Sequence, residues 1–156
     1  MFAECIASTL GQLDQSFLTV AACSDLPIST PSDPRFHIVH VDTAPEMELE
    51  AQRTDKVAKL RAAVAAAREL GATHTMAVDA DDLVSRQLAG FVRQHGPGCA
   101  GWFSPSGYVW RDGSRLVLKK RRNFHGLCGT SAIVRADLEP IRGDDRWYDT
   151  SVIDLP

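Results

Sequence analysis

Residues 73–85 read THTMAVDADDLVS and place Asp79, Asp81 and Asp82 within four positions, directly after an apolar run. Carboxylates cannot be buried unpaired without a severe desolvation cost, so this stretch leaves them in water or gives them a cation to share. Carboxylate oxygens suit hard divalent cations such as Mg²⁺ and Mn²⁺. Mg²⁺ commonly takes one or two protein carboxylates and fills its remaining positions with water and substrate phosphates. A short acidic loop after a buried strand therefore suits metal–diphosphate binding. The competing reading is a solvated acidic turn, or acids placed to favour a helix N-terminus. An EF-hand is excluded, because the loop lacks the later Asp, Gly and Glu that calcium geometry requires.

The flanking elements must put that loop in place. Residues 3–13 carry apolar side chains near helical spacing, which predicts a short helix. FLTVAAC (17–23) and FHIVHV (36–41) are β-rich runs separated by the Ser-, Asp- and Pro-rich loop 24–34. TAPEMELEAQR is polar and ambiguous. In the helix predicted over 54–70, Val57, Leu60, Val64 and Ala67 make one apolar face. Thr54 or Asp55 is expected to cap its start and Gly71 to end it. THTMAV then reads as a strand, DADDLV as a loop and residues 85–95 as a second helix, with Ser85 at its N-cap and Gly96 at its stop. CAGWFS is a strand. YVWRDGSRLVLKK is a hairpin around Asp112-Gly113, and 127–134 is a further buried segment. Helices alternating with strands predict an α/β layer architecture, with the hairpin as an antiparallel addition to a mostly parallel sheet. Ligands bind beyond the carboxyl ends of strands in such sheets, and Asp25, Asp42 and the Asp79–Asp82 cluster all follow strand candidates.

Composition bounds the function. The chain has 156 residues, 44% apolar and 24% charged, which fits one soluble globular domain over residues 1–156. A formal net charge of −3 does not mark a nucleic-acid binder or a polybasic membrane anchor. The one basic cluster, Lys119-Lys120-Arg121-Arg122, reads as a solvated strand end, with phosphate or lipid contact as the other reading. Cys5, Cys23, Cys99 and Cys128 form no C-x-x-C pair, so neither a zinc site nor a disulfide scaffold is expected. Without a basic n-region or an apolar run of spanning length, the expected compartment is cytoplasmic and no membrane segment is expected.

The apolar strand, Asp-Ala-Asp-Asp-Leu-Val-Ser and the following helix resemble the D-x-D segment of family 2-type glycosyltransferases with the GT-A fold. DKVAKLRAAVAAARELGATHTMAVDADD is similar to that family's helix, Gly and strand leading into the acidic motif. TLGQLDQSFLTVAACSD resembles its first helix and second strand, and FHGLCGTSAIVRADL its acceptor-side segment. The likeness spans most of residues 9–140. It implies a nucleotide-diphospho-sugar transferase sheet with helices on both faces and an added antiparallel hairpin. The implied activity is metal-dependent transfer of a sugar from a nucleoside diphosphate sugar to an unidentified glycan, lipid or protein acceptor.

The resemblance also implies roles. Asp79 faces the ribose or the Mn²⁺ or Mg²⁺ ion, Asp81 is the main metal ligand, and Asp82 orients that pair or contacts the donor sugar. Asp25 matches the nucleobase- or ribose-side acid, although the usual Asp-Asp-Gly-Ser form is absent here. Lys56 and Lys59 approach the diphosphate, or form a solvated cationic face. Asp144 and Asp145, with Asp149 as a third candidate, supply the base that takes the acceptor hydroxyl's proton, or belong to a polar surface turn. His125 is a late metal ligand or a structural residue. Trp102, Tyr108 and Trp110 stack on a sugar ring or pack as strand residues.

The family's first strand has no counterpart before residue 3, and its C-terminal part is longer. A truncated chain is therefore expected, with an inert binding module of GT-A type as the alternative function. A phosphatase of the haloacid dehalogenase type also places D-x-D after a buried strand. That motif prefers Thr or Val where Leu83 stands and lies near the N-terminus rather than mid-chain.

Overall fold

The computed structural model describes residues 2–25, 29–43, 48–111 and 113–138. Helix α1 (Phe2–Leu10) leads to strand β1 (Thr19–Cys23) and strand β2 (Phe36–His40). β1 and β2 pair in parallel, with Thr19 opposite Phe36 and Cys23 opposite His40. The turn into β2 is tied by Asp33, which accepts the Arg35 backbone N–H at 2.9 Å and the Arg35 guanidinium at 2.5 Å. That guanidinium holds the Asp33 carboxyl well below the usual range, at about 2.

Helix α2 (Leu49–Glu69) packs on β1 and β2. It starts at Leu49, so Thr54 and Asp55 lie inside the helix rather than at its cap, and Glu48 at the N-cap makes no side-chain capping bond. The reason is local: Leu49-Glu50-Ala51-Gln52-Arg53 is made of strong helix formers, and the helix propagates back through them. Its C-terminus follows expectation. Gly71 takes φ +83°, its N–H bonds to the Arg68 carbonyl, and the Ala72 N–H bonds to the Ala67 carbonyl. These paired bonds satisfy carbonyls that the last helical turn would otherwise leave open.

Strand β3 (His74–Thr75), helix α3 (Leu88–His95) and strand β4 (Gly101–Phe103) follow. α3 begins later than expected. Ser85 forms the preceding turn, its Oγ accepting the Gln87 N–H at 3.3 Å. The buried Gln12 side chain serves the helix start instead: its Oε1 accepts the Ala89 N–H at 3.0 Å and its Nε2 donates to the Ser85 carbonyl at 2.9 Å. Gly96 is the C-cap, as expected. Strands β5 (Gly107–Trp110) and β6 (Val117–Lys120) form the expected antiparallel hairpin. A 3₁₀ turn at Phe124–Gly126 then precedes strand β7 (Ala132–Arg135). β7 lies between β3 and β4 and is antiparallel to both.

The architecture is mixed α/β, but the strands do not form one mostly parallel sheet. The described strands make three separate sheets, and only β1 and β2 run parallel. A cleft of about 1230 Å³ lies between the outer edge of β1 and the stretch Thr73–Asp79, walled on other sides by α1 and α2. No described strand bridges it, so the sheet stays divided. Ile133 and Val134 of β7, and Ala136 directly after it, are among the most buried apolar residues. Among the described residues no helix is long and apolar enough to cross a membrane.

Gly101 shows how closely β4 and β7 approach. A Cβ there would lie 2.3 Å from the Ile133 carbonyl oxygen, a backbone atom that cannot swing away. Gly101→Ala is therefore expected to destabilise the domain by about 1–3 kcal/mol, as overpacking does. A lowered urea midpoint with an unchanged slope checks it.

Candidate functional site

The acidic loop begins where the Thr73–Asp79 stretch leaves β7. His74 lies opposite Arg135 and Thr75 opposite Val134. Continuing that antiparallel register brings Asp79 opposite Thr130, and there the Asp79 N–H donates to the Thr130 hydroxyl at 2.9 Å. The expected strand over 73–78 is thus a two-residue ladder extended by this single side-chain bond. Thr130 is buried, so the bond holds the start of the loop against solid structure. The Asp82 N–H closes a turn onto the Asp79 carbonyl at 2.9 Å. The buried Cys5 thiol donates to the same carbonyl at 3.6 Å, tying α1 to the loop.

Each acid has a different environment. The Asp79 carboxylate accepts a hydrogen bond from the Lys56 ammonium at 2.7 Å, with side chains 38% and 46% exposed. An ion pair this exposed contributes about 0–1 kcal/mol. It fixes position more than stability, and both groups stay reachable from the cleft. Asp81 is exposed and lines the cleft with Asp79 and Lys56. Asp82 turns away, accepting the Cys128 thiol at 3.2 Å.

The other sequence candidates divide as follows. Lys59 pairs with Asp55 at 2.6 Å one helical turn away and lines the cleft without reaching the acidic loop. Asp55 also accepts from the Thr43 hydroxyl, which bonds to Ser24 at 3.0 Å. The carboxyl end of β1 and the carboxyl end of Thr73–Asp79 therefore both abut α2 at Asp55 and Lys56. Asp25 is exposed beyond β1 and does not line the cleft. His125 packs edge-on to Phe103, with ring centroids 4.5 Å apart, and its buried Nδ1 has no hydrogen-bond partner. Trp102 packs at a tilt against His74 and edge-on to Phe91, whereas Tyr108 and Trp110 are exposed on the hairpin. Asp144, Asp145 and Asp149 lie outside the described residues.

Two thiols flank the acids. Burial pushes the Cys128 thiol up to about 11, helped by its hydrogen bond to Asp82. Burial raises Cys5 as well, and the charges of Asp82, Asp81 and Asp79 add to it. Both are held as neutral thiols and donors, so neither is an activated nucleophile. Sequence reasoning missed these partners and Thr130. The only available signal was Gly129-Thr130-Ser131, small polar residues placed directly before a buried strand.

The donor set fits a hard cation in chemistry: the carboxylates of Asp79 and Asp81 lie at one cleft, with the Lys56 ammonium paired to Asp79. Among the described residues no group of three or more His, Cys, Asp or Glu side chains is gathered for a metal, so the other ligands would be water and substrate oxygens. No protein-family model, curated protein or solved structure matches this chain.

The raised thiol makes a chemical prediction. At pH 8, iodoacetamide should modify Cys128 about tenfold or more slowly than an unstructured cysteine. Asp82→Asn should recover only part of that rate, because burial, the larger cause, remains. Peptide-resolved mass spectrometry separates Cys128 from the other thiols.

Proposed function

We infer that the cleft binds a nucleoside diphosphate sugar with Mg²⁺ or Mn²⁺, and that the domain acts as a glycosyltransferase of the GT-A, family 2 kind. The observation that carries this reading is the meeting of Asp79, Asp81 and Lys56 on one cleft, at the carboxyl ends of the strands that border it. Asp81, the more exposed acid, is the main metal ligand and Asp79 the second. Lys56 holds Asp79 in place and donates to the diphosphate as the ligand enters. The bound cation would neutralise charge on the leaving diphosphate. The β7 side fixes Asp79 through Thr130, so the loop is positioned before ligand arrives. Asp82 orients the turn from its contact with Cys128, a narrower role than direct contact with the donor. Asp144 or Asp145 takes the acceptor's proton in this reading.

A second reading is a binding module that keeps the scaffold without catalysis. The divided sheet favours it, because strand edges that no described strand pairs border the cleft where a catalytic pocket needs a closed wall.

Calorimetric titration with UDP- and GDP-sugars, with Mn²⁺ and with chelator, tests both. Metal-dependent donor binding is expected, and Asp81→Ala should abolish it in a domain whose circular dichroism is unchanged. Lys56→Ala should weaken donor binding by about tenfold or more, the loss of one charge-assisted hydrogen bond. Donor binding that ignores the metal and survives Asp81→Ala would rule out the acidic loop as the site. Binding without sugar transfer to any acceptor selects the module.

A further inference from the structure

The hairpin stands apart from the cleft. Among the described strands β5 pairs only with β6, and β6 only with β5. Tyr108 lies opposite Lys119 and Trp110 opposite Val117, so these four share one face, while Val109 and Leu118 share the other. Both faces are open to water: Leu116 is 73% exposed, Leu118 68%, Tyr108 66% and Val117 57%. Trp110 is 48% exposed, and its indole N–H donates to the Ser114 carbonyl at 2.7 Å, which closes the tip. The Lys119 ammonium sits 5.7 Å from the centre of the Tyr108 ring. Residues 111–122 carry six cations, Arg111, Arg115, Lys119, Lys120, Arg121 and Arg122, against the single acid Asp112. All six are exposed, on a chain whose net charge is −3.

We propose that this hairpin docks the domain on an anionic lipid bilayer. A solvated strand end accounts for the cations but leaves the exposed Leu116, Val117 and Leu118 unexplained, since soluble surfaces rarely gather such side chains. Amphipathic Trp and Tyr side chains favour the boundary between headgroups and acyl chains. Aliphatic side chains bury just below that boundary, and flanking Lys and Arg side chains reach back to lipid phosphates. A nucleic acid would meet the cations and the aromatic rings, but the aliphatic side chains would gain nothing from it. The docking rests on the hairpin alone and is independent of what the cleft binds.

The test is co-sedimentation of the full chain with phosphatidylglycerol vesicles and with phosphatidylcholine vesicles. Two variants accompany it: Leu116→Ser with Leu118→Ser, and Lys119→Glu with Lys120→Glu. Binding to phosphatidylglycerol, at least tenfold weaker binding to phosphatidylcholine, and at least tenfold loss in each variant are expected. Should a double variant misfold by circular dichroism, Trp110→Phe gives a second readout: a vesicle-induced blue shift of emission should disappear with that one indole. Sedimentation that ignores the vesicles would overturn the proposal. So would phosphatidylglycerol binding that only the lysine variant loses, and tighter capture by a single-stranded RNA oligonucleotide than by the vesicles.

Discussion

The double pairing of β7 is the constraint on which the described structure depends. This strand lends one edge to β3 and the other to β4, and its residues are among the most buried in the domain. Its ends extend the hold. The Ala136 N–H bonds to the Thr73 carbonyl at 2.8 Å, and the Ala136 carbonyl accepts from Arg68 at 2.6 Å, so the end of α2 is fixed to the same strand. At the other end, the Ser131 carbonyl accepts the Ser104 N–H and Thr130 receives the N–H of Asp79. The acidic loop therefore takes its place from a strand far along the chain. Without β7, β3 would be two residues with no ladder.

Around that loop acids and a lysine meet at one cleft. Asp79 and Asp81 face the cleft, Lys56 crosses to Asp79 from α2, and Asp82 is turned to Cys128. The neutral thiols of Cys5 and Cys128 supply donors to the loop without adding positive charge that would compete for its carboxylates. The cleft itself is a consequence of the divided sheet. Strand edges that no described strand pairs line it, and such edges invite pairing with another extended segment.

Much of the local structure was legible because it is written in local terms. The apolar face of α2, the glycine stops at Gly71 and Gly96 and the hairpin appear where periodicity and turn chemistry place them, and the segment predicted buried over 127–134 is largely so from Thr130 on, whereas Leu127 is exposed. Apart from the start of α2, which local helix formers carry back to Leu49, the misses share one physical cause: distant residues decided them. The start of α3 is served by Gln12 rather than Ser85, and beyond Thr75 the predicted strand leaves the ladder, meeting the β7 side again only where Asp79 bonds to Thr130. Division of the sheet could not be read from single strands, since alternation of helices and strands says nothing about which edges meet. The acids were visible as a cluster. Their separation into a cleft-facing pair and Asp82 was not, because Cys128 is remote in sequence. Lys56 and Lys59 looked alike in the sequence, yet only Lys56 reaches the loop.

The cleft and the hairpin are separate surfaces: the cleft is lined by Asp55, Asp79 and Asp81 together with Lys56, Lys59 and Arg61, whereas the hairpin is rich in cations. The central claim concerns the first, that Asp79 and Asp81 form a divalent-cation site. The most direct measurement is paramagnetic broadening by substoichiometric Mn²⁺ in the amide spectrum of the isotope-labelled chain. Broadening centred on Asp79–Asp82, reaching Thr130 and Lys56, and reversed by chelator is the predicted result. Broadening centred elsewhere, or none while the spectrum shows a folded domain, would contradict it.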